Sequence, residues 1–185
     1  MPEVVRPRGN DNDMNLAPYL RGPLTGFGLA VALVACALDQ ASKLYLVHGV
    51  GLEANGPIRV APFLDFIFVR NTGISYGLFQ SAGPLGQYVL LAIKAAAVLL
   101  LWGWLARAAD RLTALSLGLI VGGALGNAID RVLHGFVVDF VYFHIATTTW
   151  RFDWYVFNLA DVAIVAGVIG LLYDSLTAGR AVKAP

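Results

Sequence analysis

Four apolar runs, each close to twenty residues long, decide what this chain can fold into. An α-helix needs about 20 mostly apolar residues to cross a hydrocarbon core, where every backbone polar group must find a partner inside its own segment. The runs fall at 24–47, 85–105, 112–129 and 154–173. Charges interrupt them sparsely: Asp39 and Lys43 near the end of the first, Lys94 inside the second, Asp161 in the fourth. Across the 185 residues, 14% are charged and 58% hydrophobic, where a soluble domain carries about 25% charged residues. The sequence therefore predicts an all-α integral membrane protein built as a four-transmembrane-helix bundle. A net charge of +1 offers no basic field for nucleic acid. The single cysteine, Cys36, excludes an intrachain disulfide and a cysteine-rich metal site.

Basic residues flanking the runs set the expected orientation, because Lys and Arg concentrate on the cytoplasmic side. Arg6, Arg8 and Arg21 precede the first run, Arg107 and Arg111 flank the turn between the second and third, and Arg180 and Lys183 follow the fourth. An even number of spans puts all of these segments, and both termini, in the cytoplasm. The opposite face receives the two longer connections, 48–84 and 134–153, which are poorer in basic residues and richer in aromatics. Trp102, Trp104, Trp150, Trp154 and Tyr155 lie near run ends, where amphipathic rings favour the interface.

Those longer connections read as more than loops. Phe63-Leu64-Asp65-Phe66-Ile67-Phe68-Val69, Ile74-Ser75-Tyr76-Gly77-Leu78-Phe79 and Phe136-Val137-Val138-Asp139-Phe140-Val141-Tyr142 are rich in aromatic and β-branched residues. Asn71-Thr72-Gly73 between the first two is turn chemistry. The expectation is a small β-sheet on the extracytoplasmic face. The organisation expected is a disordered cytoplasmic tail over 1–20, a four-helix membrane domain over 21–178 with β-rich segments near 58–80 and 136–143, and a short cytoplasmic tail over 179–185.

A carboxylate inside a span costs roughly 2.5–3.5 kcal/mol at mid-helix on insertion scales, which makes it a functional candidate. Asp161 is the clearest case; with its helix starting at Trp154, it sits about 10 Å into the fourth span. The third span climbs to the same face through Gly126-Asn127-Ala128-Ile129-Asp130-Arg131, and Asp139 follows as a single charge among apolar neighbours. Topology thus brings Asp139 and Asp161 to one level of one face. Two carboxylates close together in a low-dielectric site share a proton. Such a pair can deprotonate a water with one member and polarise a carbonyl with the other, which is amide hydrolysis without a metal. Asn71, Asn127, Asn158 and Arg131 are polar residues in or beside the same segments, suited to a developing oxyanion.

Blander readings stand beside these. Asp139 can cap or pair with Arg131 or Arg151, and Asp161 can be a structural hydrogen-bonding residue. Asp130-Arg131 reads as a structural or interfacial ion pair. Asp39 and Lys43, four apart, read as a mainly structural helix pair that can also order the site. Lys94 receives no role. His134, His144, Asp139 and Asp161 make a poor metal set without a paired-histidine helix motif. Gly122, Gly123 and Gly126 read as close-approach positions between helices.

Four blocks resemble one family, the bacterial lipoprotein (type II) signal peptidases: Asp39-Gln40-Ala41-Ser42-Lys43; Asn71-Thr72-Gly73-Ile74-Ser75-Tyr76-Gly77; Gly126-Asn127-Ala128-Ile129-Asp130-Arg131 through Gly135 to Val138-Asp139-Phe140; and Phe157-Asn158-Leu159-Ala160-Asp161. They stand in the family's order and cover most of the chain, from Leu24 to Tyr173. The resemblance implies a metal-free, cofactor-free aspartic endopeptidase of the bacterial cytoplasmic membrane. It implies that Asp139 and Asp161 are catalytic and that Asn71, Asn127, Arg131 and Asn158 hold the substrate or the site, with the Asp39–Lys43 pair supporting it. The substrates implied are prolipoproteins bearing a diacylglyceryl cysteine, cut just before that cysteine, with membrane lipids as surroundings and a monomer as the working unit. Ser75-Tyr76 and Val162 depart from the residues the family more often has, which touches the shape of the pocket.

Three rivals are weighed against this. Leu33-Val34-Ala35-Cys36 itself reads like a lipoprotein cleavage signal, but the apolar run continues past Cys36 and three more follow. A small proton-coupled transporter would use membrane carboxylates, yet no inverted repeat is visible. A membrane scaffold gives no account of two nearly buried carboxylates.

Overall fold

The computed structural model describes residues 20–73 and 84–181. Helix α1 (Thr25–Leu44) runs on into a π-helical turn, Tyr45–Gly49. A single helical turn, α2 (Leu52–Asn55), then leads into strands β1 (Ile58–Ala61) and β2 (Leu64–Asn71). Helices α3 (Pro84–Leu105) and α4 (Arg111–His134) follow, then strands β3 (Val137–Ala146) and β4 (Arg151–Asp153), and finally helix α5 (Leu159–Ala181). The segments Thr25–Gly49, Arg111–His134 and Leu159–Thr177 are each long and apolar enough to cross a membrane. Helix α3 adds 22 helical residues, apolar over Ala95–Leu105. Lys94 lies in it, with its side chain outside the described residues.

Helix α4 is the axis of the bundle and the most buried helix, with α1 on one side and α5 on the other. Small residues let the backbones meet. A Cβ at Gly122 would lie 2.4 Å from the carbonyl oxygen of Ala32 in α1, and one at Gly123 would lie 2.4 Å from that of Ala160 in α5. This is the packing available where no hydrophobic force drives helices together. The outward faces carry large apolar side chains, among them Leu33, Leu99, Ile169 and Leu176, all more than half exposed. A surface of that kind suits a lipid solvent.

Asp110 caps the start of α4 by accepting the N–H of Thr113 at 2.8 Å, one of the four donors a helix start leaves unpaired. At this end of the bundle the carbonyl of Leu20 accepts the Trp102 indole at 3.1 Å, and the Thr113 hydroxyl lies 2.8 Å from Asp174. The start of α1, the α3–α4 turn and the end of α5 therefore gather together.

The other end carries an antiparallel four-stranded sheet in the order β1-β2-β3-β4. Two of the three expected strand segments are present, as β2 and β3; the third, 74–79, lies outside the described residues. Strand β1 falls within the β-rich stretch expected near 58–80, while β4 lies beyond the stretch expected near 136–143. Leu46, Leu52 and Phe140 form a small core beneath the sheet, with Phe66 and Phe68 packed against it.

One expectation is corrected. The fourth helix begins at Leu159, five residues later than the apolar run. Phe157 is instead bound to β3: its N–H donates to Val141 at 3.1 Å, and its carbonyl accepts the N–H groups of Phe140 and Val141 at 3.1 and 2.8 Å. Strand pairing consumes the backbone groups that another helical turn would need. Asp161 accordingly stands in the first turn of α5, not two turns into the membrane.

Candidate active site

The site is assembled where α4, β3 and the start of α5 converge. The Phe157–Val141 bridge lays the segment leading into α5 alongside the strand that carries Asp139. Asn158 is then the helix N-cap. Its Oδ1 accepts the N–H of Asp161 at 3.0 Å, while Asp161 Oδ2 accepts the N–H of Asn158 at 3.2 Å. This reciprocal exchange is a capping box, with Asn and Asp in the places of Ser and Glu. The local sequence Asn-Leu-Ala-Asp thus fixes the Asp161 carboxylate at the helix start, where the backbone N–H groups and the positive end of the helix dipole lie.

The same Asn158 reaches across to the strand. Its Nδ2 donates to Asp139 Oδ1 at 2.6 Å and to Asn127 Oδ1 at 3.0 Å. Asn127 in turn donates to Asp161 Oδ1 at 3.0 Å. Asp139 and Asp161 are therefore bound into one cluster through two asparagines. Asn71, at the end of β2, donates to the other oxygen of Asp139 at 2.9 Å. The register Val69↔Asp139 and Asn71↔Val137 brings it there.

Burial pushes the Asp139 carboxyl up to about 6, and the negative charge of Asp161 adds to the rise, while the Asn71 and Asn158 donors oppose it. Asp139 is 2% exposed, so it meets little water to stabilise its charge.

Arg131 does not pair with Asp130 or Asp139. Its guanidinium donates to the carbonyl of Gly73 at 2.9 Å and to that of Asn127 at 3.4 Å. Gly73 N–H donates to Asn71 Oδ1 at 3.1 Å, so Arg131 clamps the turn that aims Asn71 at Asp139. Arg151 pairs with Asp153 at 2.8 Å. The two ionic readings of Asp139 and the Asp130-Arg131 pair are thereby corrected: the amides of Asn71 and Asn158 are better aimed at Asp139 than either arginine.

Asp39 and Lys43 do pair, at 2.7 Å, but the pair is not confined to its helix. Lys43 also reaches Asp130 at 2.9 Å and Asn127 Oδ1 at 3.3 Å. Gln40 donates to Asp130 at 2.9 Å and to the carbonyl of Gly126 at 3.0 Å. Gln40 and Asp130 were therefore underrated from sequence. The available signal was their position: Asp130 lies three residues from Asn127 on one helix face, and Gln40 is polar within a span. The histidines go elsewhere. His144 lies 3.0 Å from Asp65, and His134 packs near Phe136. Among the described residues no group of three or more His, Cys, Asp or Glu side chains is placed to hold a metal ion.

Among the described residues, two openings adjoin the cluster. A groove of about 370 Å³ runs from Asp161 along the outward face of α5 past Val162, Val165 and Ile169, under Trp154 and Tyr155. A smaller pocket of about 160 Å³ lies behind it, against Lys43, Asp130, His134 and Val138.

The chain as a whole has counterparts among known proteins. Residues 31–177 match the family model described as Signal peptidase (SPase) II. The lipoprotein signal peptidase of Nitrobacter hamburgensis is 56% identical over 158 residues, covering 85% of this chain and 96% of the relative. That of Methylorubrum extorquens is 57% identical over 149 residues, covering 80% and 85%. A solved bacterial membrane enzyme superposes with a TM-score of 0.68 at 26% identity, covering 90% of this chain and 97% of its own. With its helices, sheet and sequence all agreeing, the chain belongs to the signal peptidase II family of aspartic peptidases.

Proposed function

We infer that this chain is a lipoprotein signal peptidase: a membrane-embedded aspartic endopeptidase that removes the signal peptide from diacylglyceryl-modified prolipoproteins, cutting just before the lipidated cysteine. The observation that carries the catalytic assignment is the cluster in which Asn158 and Asn127 bind Asp139 and Asp161 together.

The chemistry follows from the two environments. Asp139, strongly desolvated and raised toward neutrality, keeps the shared proton and donates it toward the carbonyl oxygen of the scissile amide. Asp161, at the helix start, takes a proton from the attacking water. The water oxygen bonds to the carbonyl carbon and a tetrahedral intermediate forms. Its collapse breaks the C–N bond, the proton on Asp161 passes to the leaving amine of the cysteine, and one hydroxyl of the intermediate returns its proton to Asp139 as the new carboxyl forms. Asn71 and Asn158 hold Asp139 oriented, Asn127 and Asn158 hold Asp161, and Arg131 holds the Asn71 turn. Asp39 and Lys43 support them from α1.

The reading carries a membrane setting with it. It places α3 as a fourth span, since α3 runs from the sheet end to the end where Trp102 meets Leu20. It puts both termini in the cytoplasm of a bacterium, beside Arg21, Arg107 and Arg111, and the sheet and the dyad at the extracytoplasmic face of the inner membrane. The tails expected over 1–20 and 179–185 lie outside the described residues, apart from residue 20 and the helical end 179–181. The groove beside Asp161 opens laterally along α5, so an acylated substrate can approach within the bilayer among its lipids. The working unit in this reading is a monomer.

The test is cleavage of a diacylated prolipoprotein in detergent or proteoliposomes by the wild type, Asp139→Asn and Asp161→Asn. Each substitution is expected to abolish turnover, because an amide cannot share the proton. Full turnover in either variant would overturn the assignment.

A further inference from the structure

Each member of the dyad is preceded by a residue whose backbone N–H is taken by a buried carboxylate. Val138, just before Asp139, donates to Asp130 Oδ2 at 2.9 Å. Ala160, just before Asp161, donates to Asp39 Oδ1 at 2.9 Å. The two carboxylates come from different helices, α4 and α1, and one ammonium joins them: Lys43 Nζ lies 2.7 Å from Asp39 and 2.9 Å from Asp130. The side chains of Lys43, Asp39 and Asp130 are 4%, 0% and 2% exposed.

A buried ion triad is a poor device for stability alone. The cost of stripping water from three charges commonly offsets their attraction, and well-packed apolar replacements are often as stable or more so. Its retention beside a catalytic pair calls for another account, and its contacts supply one. Gly126 makes room for it: a Cβ there would lie 2.6 Å from Asp39 Oδ2.

We propose that Asp39, Lys43 and Asp130 act as one positioning unit for the dyad, with Asp130 setting the strand that carries Asp139, Asp39 setting the helix start that carries Asp161, and Lys43 fixing the distance and the electric field between them. Asp130 is the residue this adds to the site. The inference rests on the reading of Asp139 and Asp161 as the dyad. Lys43 acts on that pair by position and by charge. Its positive charge favours the ionised form of Asp139, against burial and the charge of Asp161. The groups that face Asp139 are Asp161 from α5, Lys43 from α1 and Arg131 from α4, with the amides of Asn71 and Asn158.

The test measures kcat, KM and the pH profile of lipopeptide cleavage for Lys43→Met, Asp130→Asn and the double variant, with Asp139→Asn and Asp161→Asn run beside them. Turnover is expected to fall about tenfold to a hundredfold in each single variant, as for a misplaced catalytic group, with KM little changed. The limb on which activity falls with rising pH should move in opposite directions. It moves up for Lys43→Met, which removes a positive charge, and down for Asp130→Asn, which leaves Lys43 less balanced. In the double variant the two shifts should largely cancel. If one single variant does not accumulate in the membrane, the other is read beside the double variant: a limb displaced in the single and restored in the double, with turnover at least about tenfold below wild type in both, supports the proposal, and a limb unmoved in the single or wild-type turnover in the double overturns it. Limbs unmoved in both single variants, or moved the same way, overturn it while leaving the dyad intact. Activity surviving in Asp139→Asn or Asp161→Asn would instead overturn the dyad itself.

Discussion

Asn158 touches both aspartates at once: its Nδ2 donates to Asp139 at 2.6 Å, and its Oδ1 accepts the N–H of Asp161 at 3.0 Å. One side chain is thus helix cap and active-site brace together. The helix start and the strand become a single unit, which explains why Phe157 is pinned to β3 immediately before it.

Asn158→Ala should therefore lose on two counts. Removing an N-cap costs about 1 kcal/mol of stability, read as a lower Tm. Removing the brace leaves Asp139 short of a donor and free to turn, so kcat should fall by about a hundredfold, as expected for misplaced catalytic groups. Steady-state kinetics at a temperature where the variant stays folded separates the two effects; retained kcat would contradict the brace.

The pH profile should report the raised carboxyl. Asp139 holds its proton up to about 6 in the free enzyme because it is buried and sits near the Asp161 charge. As pH rises through that value the proton is lost, both carboxylates become ionised, and no acid remains for the carbonyl oxygen. The alkaline limb of kcat/KM is expected near pH 6, since this parameter reports the free enzyme. Bound substrate excludes more water, so the limb of kcat should lie higher. A kcat/KM that is flat from pH 5 to 8 would contradict this.

Gly126→Ala tests the packing beneath the site. The new Cβ would lie 2.6 Å from a carboxylate that already binds Lys43, so Asp39 or α1 must shift. Overpacking of this kind costs about 1–3 kcal/mol. Turnover should fall together with Tm, and the matched control Gly103→Ala, where a Cβ meets nothing within 4 Å, should leave turnover unchanged and hold or raise Tm, because Ala favours a helix over Gly.

At the opposite end, Asp110→Ala should cost stability and spare catalysis. Asp110 accepts the N–H of Thr113, and these bonds hold its carboxyl below the usual range. A carboxyl lowered in the folded state contributes stability above its unfolded value and loses it as pH falls through the folded one. The variant should melt lower at neutral pH by about 1 kcal/mol of capping, with the gap closing in acid. Its kcat/KM at permissive temperature should match the wild type.

Chelation is the remaining check. The proposed reaction moves protons between carboxylates, water and amide without a metal, so wild-type turnover should be unchanged after incubation with EDTA and dialysis. Loss of activity that added zinc restores would contradict the mechanism.

The sequence by itself determined the solvent and marked where the chemistry should be sought. Long apolar runs force helices, because unpaired backbone groups are too costly in lipid, and charges within such runs mark the functional positions, because they are too costly to keep otherwise. Asp161 and the Asp39–Lys43 pair could be read that way. What the tertiary structure alone decided is who faces whom. Phe157 left the helix because a strand distant in sequence supplied its partners. Asp130 turned from its neighbour Arg131 to a lysine 87 positions earlier, and Asn158 found Asp139. The reason is physical: a buried polar group takes the partner that packing brings within hydrogen-bond reach, and spacing along the chain says little about which one that is.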